Sequence, residues 1–66
     1  MSASNYVYLD VEEIRAETAK ALLLVVGGEE YWVPLSQIAD ADDYNKGDTD
    51  VEVAVTEWFA KKEGLA

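Results

Sequence analysis

The sequence predicts an α+β fold: a small, curled antiparallel β-sheet of three to four strands with one short C-terminal helix. Three observations carry this. From Tyr6 to Glu12 apolar and polar residues alternate, with Val7, Leu9 and Val11 on one face and Tyr6, Tyr8, Asp10 and Glu12 on the other, the period of a half-buried strand. Gly27-Gly28 divides two β-rich runs, and glycine tolerates the positive φ angles of a tight hairpin turn. The stretch from Thr56 to Gly64 carries both the start and the stop signals of a helix.

The first strand is expected to continue to about Ala16, with a turn near Glu17 to Lys20. The composition of residues 13–20 also suits a helix, but such a helix would offer only Ile14 and a few alanines as its apolar face. The second strand, Ala21 to Val26, is apolar throughout, so it belongs at the centre of the sheet with both faces covered. The third, Glu29 to Val33, returns antiparallel and ends at Pro34, which has no ladder donor. Ala39 to Asp50 is an aspartate-rich loop, and Val51 to Val55 is a fourth strand with its three valines inward. In the helix, Thr56 is the N-cap, Glu57 lies in the first turn, Lys61 and Lys62 lie near the end, and Gly64 stands at C′. Trp58 and Phe59 are expected to pack on the sheet, and both Trp32 and Trp58 are expected in the core, because so small a chain has few large residues to fill it.

Length and charge bound the function. Sixty-six residues allow one domain, 1–66, with a thin core and no cysteine to staple it. With no Cys and no His, thiol nucleophiles, the usual soft-metal ligands and near-neutral proton shuttles are excluded. Ser36 has no histidine to activate it, and the paired carboxylates lie in exposed segments without a partner group, so the chain is not expected to be an enzyme. The loop from Asp40 fails the helical calcium-loop template: Asn45 stands where glycine is required and Val51 where glutamate is required. No cofactor and no metal is therefore expected. The N-terminus lacks the basic and apolar regions of a signal peptide, and the six-residue apolar run Ala21 to Val26 is far too short for a membrane span.

What remains is the acid distribution. Fourteen acidic side chains against five basic ones give a net charge of −9, which repels nucleic acid and anionic membranes and disfavours self-association. Asp10/Glu12, Asp40/Asp42, Asp48/Asp50 and Asp50/Glu52 recur at i, i+2, which on extended chain places carboxylates about 6.5–7 Å apart on one side. A domain of this size has a diameter of roughly 28 Å, a length over which duplex DNA carries about 16 phosphates. A DNA-binding protein could therefore take this surface for its substrate. The competing reading is that the acidic surface simply keeps a small domain soluble.

The segments Ala19 to Ile38, with Trp32-Val33-Pro34-Leu35-Ser36-Gln37, and Thr56 to Leu65, with Thr56-Glu57-Trp58, resemble small phage-type accessory proteins, the class that includes anti-CRISPR inhibitors. Nearly the whole chain is similar to inhibitors of the type I-C CRISPR surveillance complex. These motifs are structural and hold no catalytic signature, and the class shares little sequence, so no family site residues transfer. The resemblance implies a non-enzymatic protein of the bacterial host cytoplasm that blocks target DNA binding by the effector (Cascade) complex, as a DNA mimic. The expected partner is a basic DNA-binding surface of an effector subunit, met by a monomer. The expected contacts are Tyr8, Asp10, Glu12 and Glu13 on the first strand, Glu29 and Glu30 beside the hairpin, and Asp40, Asp42, Asp43, Tyr44, Asp48 and Asp50 in the loop. The alternative is an accessory or scaffold module that binds through the sheet edge or the tryptophan-bearing helix.

Overall fold

A computed structural model describes residues 5–65, so the signal-peptide reading of Met1 to Asn5 lies, but for Asn5, outside the described residues. The elements run β1 (Tyr6–Glu17), β2 (Ala21–Val26), β3 (Glu29–Pro34), two 3-10 turns (Leu35–Gln37 and Ala41–Asp43), β4 (Thr49–Thr56) and α1 (Glu57–Lys62). The four strands form one antiparallel sheet in the order β3-β2-β1-β4. This is the α+β architecture the sequence predicts.

Strand β1 organises the sheet. Its first half, Tyr6 to Glu13, pairs with β4, and its second half, Glu13 to Glu17, pairs with β2. Residues 13–17 are thus strand, not helix, and the strand extends one residue past the expected end. Between Ile14 and Ala16 the register with β2 shifts, so Arg15 is an extra residue on β1. A bulge of this kind bends the strand and raises its twist, and it lets one long strand serve two partners. Ile14 is also held from the loop side: its N–H donates to Asp48 O at 2.8 Å, and its carbonyl accepts from Gly47 N at 2.8 Å.

Gly27 and Gly28 have φ of 59° and 81°, the paired positive angles of a type I′ turn, and no β-carbon to resist them. Pro34 ends β3, and the Leu35 N–H then donates to Lys20 O at 2.8 Å, tying the exit of β3 to the β1–β2 turn. The connection from residue 35 to 48 is more ordered than a plain loop: Ile38 bridges Val55 and Ala39 N–H donates to Ala54 O, so it runs beside β4.

The helix obeys its sequence signals. The Thr56 hydroxyl accepts from the Phe59 N–H at 3.2 Å while donating to the Gln37 side-chain carbonyl. At the other end Gly64 (φ 76°) and Leu65 donate to Lys61 O and Ala60 O, the two bonds of a Schellman motif. Thr56→Ala is expected to cost about 1 kcal/mol, because it removes the cap and leaves Gln37 without its donor. A urea titration followed by far-UV circular dichroism measures that loss.

One core holds these elements together: Leu9, Val11 and Ile14 from β1, Leu22 and Leu24 from β2, Val33 from β3, Val53 and Val55 from β4, Ile38 from the connection, and Phe59 and Ala60 from α1. The tryptophans are not in it. Trp32 is 52 % and Trp58 62 % exposed, correcting the expectation that both fill the core. In β3 the alternation sends Val33 and Tyr31 to the core and Trp32 to the opposite face. In α1 the residues 58, 59 and 60 fan over about 200° of a helix, wider than one contact stripe, so Phe59 and Ala60 are buried and Trp58 is left outside.

β2 is central, as its apolar run requires, but its two faces differ. Leu22 and Leu24 belong to the core. Leu23 and Val25 are also buried, on the opposite face and outside that cluster. The helix and the connection contribute their buried residues to the core side. Among the described residues the opposite face therefore has no helix layer, and Leu23, Val25 and Ala54 are buried there among the side chains of the sheet itself.

Candidate partner-binding surface

The uncovered face of the sheet is built by pairing register. Tyr6, Tyr8 and Asp10 point outward from β1, and their partners on β4 are Thr56, Ala54 and Glu52. Further along, Glu13 of β1 pairs with Thr49 of β4 on one side and Val25 of β2 on the other, and Val25 pairs with Glu30 of β3. Glu30, Val25, Glu13 and Thr49 thus form a row across four strands, about 14 Å wide at ordinary strand spacing.

Arg15, the extra residue of the bulge, reaches across this row. Its guanidinium donates to the Glu30 carboxylate at 2.6 Å and to Glu13 at 3.3 Å, and Glu30, followed by Glu13, raises its pKa above the ordinary arginine value. Two expected partner contacts, Glu13 and Glu30, are therefore already engaged within the chain. Glu57 and Glu63 face Lys61 and Lys62. The other ten acidic side chains have no Lys or Arg within 4.0 Å among the described residues.

Asp10 and Glu12 are exposed on β1, and Glu29 is exposed at the hairpin, where the sequence places them. Asp10 stands directly opposite Glu52, a like-charge cross-strand pair that weakens the ladder. Asp10, Glu12, Asp50 and Glu52, with Val11 and Val51, line a depression of about 230 Å³. Glu52 was not among the expected contacts; its i, i+2 relation to Asp50 is visible in the sequence, but its place beside Asp10 depends on the β1–β4 register.

The loop aspartates divide into structural and free groups. Asp48 accepts the Asn45 N–H at 2.9 Å, and Asp40 and Asp50 occupy left-handed backbone at φ 54° and 52°. Aspartate tolerates that region better than most residues, so Asp40 shapes the loop, while Asp50, expected in the loop, lies in β4 and shapes the start of that strand. Asp42 and Asp43 lie exposed in the first turn of the second 3-10 segment. Tyr44 is half-buried and packs against the core, which removes much of the contact area expected of it. Among the described residues no three acidic side chains are grouped so as to hold a metal ion.

A second depression, about 520 Å³, lies at the other end of the β1–β4 ladder between Asn5, Tyr6, Ser36, Gln37, Thr56 and Trp58. The Trp58 ring has the Lys62 ammonium 5.3 Å from its centroid. Trp58→Ala removes this exposed contact and no core atom, and is expected to change stability by no more than about 1 kcal/mol, measurable in the same urea titration. Tyr6 and Tyr8 are exposed as the alternation predicts, whereas the two tryptophans are the site feature that sequence reading places wrongly, although strict alternation in β3 already assigns Trp32 to the outer face.

No helix among the described residues is long and apolar enough to cross a membrane. Comparison with family models, with curated proteins and with solved structures returns no match to this chain, so its surface is read from its own residues.

Proposed function

We propose that this protein is a non-enzymatic anti-CRISPR inhibitor of the bacterial host cytoplasm that occupies a basic DNA-binding surface of a CRISPR effector complex, acting as a DNA mimic. The observation that supports this best is the state of the acids: ten of fourteen have no Lys or Arg within 4.0 Å among the described residues, and Asp10 and Glu52 are set directly opposite one another at a cost to the sheet. Carboxylates arranged for stability alone would be paired or dispersed. The molecule extends over 35 Å, a length on which duplex DNA bears about 20 phosphates. Its charge would steer encounter with a cationic groove and would exclude DNA from it once bound.

A second reading is favoured by a different observation. Tyr6, Tyr8, Trp32 and Trp58 are all exposed, and aromatic residues of this kind anchor protein interfaces. On that reading the domain is an accessory module whose partner is held mainly by apolar contact.

Competition separates the two. Purified surveillance complex is captured on the immobilised protein, and target DNA is added in increasing amounts. The mimic reading predicts displacement by target DNA and little displacement by an unrelated protein. Capture that DNA leaves untouched supports the aromatic module and contradicts mimicry.

A further inference from the structure

The uncovered face along β1 and β4 has an order that charge alone does not require. At one end are Trp58 and Tyr6, beside the larger depression. In the middle Tyr8, 71 % exposed, stands opposite the small Ala54, so one large ring rises beside a low step. Next come Asp10 and Glu52, beside the smaller depression. Tyr6, Tyr8 and Asp10 share one face of a strand and recur every two residues, about 6.8 Å apart. Side chains at i, i+2 of an extended ligand have the same repeat.

We propose that this strip is a docking face for an extended, arginine-bearing segment of a partner protein, with guanidinium groups stacked on Tyr8 and Tyr6 and paired with Asp10 and Glu52. The proposal rests on the reading that the acidic surface meets a basic protein, and it names the chemistry that surface selects. Charge complementarity fixes the sign of the occupant: the strip carries two unpaired carboxylates, and a second copy of a chain at −9 is repelled. The aromatic rings choose between the two cationic side chains. A planar, weakly hydrated guanidinium both stacks on an aromatic face and bonds carboxylates in bidentate fashion, whereas a lysine ammonium is a hydrated point charge.

The test uses the intact protein and three short extended peptides, identical except for two positions at i, i+2 that hold arginine, lysine or norleucine. Isotope-labelled protein is titrated with each and followed by amide chemical shifts. The expected result is that the arginine peptide binds about five- to tenfold more tightly than the lysine peptide, with the largest shifts between Tyr6 and Asp10 and between Glu52 and Trp58. The double variant Tyr6→Ala/Tyr8→Ala, at two exposed positions, should erase the preference for arginine while leaving the dispersed spectrum of a folded domain. Equal affinity for arginine and lysine peptides, shifts concentrated in residues 39–50, or no binding by the arginine peptide overturns the proposal. These outcomes are independent of the surveillance complex: capture of that complex with no arginine preference keeps the inhibitor and discards the strip.

Discussion

Replacing Asp10, Glu12 and Glu52 together by lysine is expected to weaken binding of the basic partner by about two orders of magnitude while the domain stays folded. Each exposed ion pair contributes about 0.2–1 kcal/mol, and reversal exchanges an attraction for a repulsion of similar size. Three reversals then amount to roughly 3 kcal/mol, on the order of 100-fold in Kd. The single variant Asp10→Lys should move stability the other way. Asp10 faces Glu52 across the ladder, so reversal converts a like-charge pair into an attractive one and should raise stability by about 0.2–1 kcal/mol. Weaker binding together with a more stable fold is the signature of a charge kept for a partner. Urea titration and a binding isotherm on the same sample measure both quantities.

Leu24→Ala is expected to remove about half or more of the domain's stability. Leu24 is fully buried between Ile14 of β1 and Tyr31 of β3, its pairing neighbours, and truncating a buried leucine costs about 2–5 kcal/mol. A domain of this length has a total stability of roughly 3–10 kcal/mol, so the loss takes much or all of it. No disulfide is present to limit the damage. Far-UV circular dichroism against urea should show a midpoint shifted far towards water, in contrast to Trp58→Ala, whose midpoint stays near that of the parent.

The fold was legible where local chemistry decides it. Two glycines in sequence could take the positive φ angles of a type I′ hairpin, and Thr56, Glu57, Lys61 and Gly64 each occupied the helix position their side chain favours. The strand alternation at Tyr6 to Glu12 held because one face meets a core and the other does not. What was hidden depended on contacts distant in sequence. The bulge that makes β1 continue past Ile14 is set by pairing with β2, and its residue Arg15, which bonds Glu13 within β1, meets Glu30 only after β3 has folded back. The tryptophans lie outside the core because alternation in β3 and helical angle in α1 override the need for large residues to fill it.

The surface was half legible. Acid positions are printed in the sequence, and Asp10, Glu12, Glu29, Asp42 and Asp43 are exposed as expected. Which acids stand together is a property of register: nothing local brings Asp10 to Glu52, and nothing local seats Tyr44 against the core.

The claim that this acidic face is built for a basic, DNA-binding partner is tested most directly by the salt dependence of its affinity for the CRISPR surveillance complex. Between about 50 and 200 mM salt the affinity of the parent protein should fall at least about tenfold, and the slope should flatten in the triple lysine variant. An affinity that holds constant across that range would contradict the account and leave the exposed aromatic residues as the basis of binding.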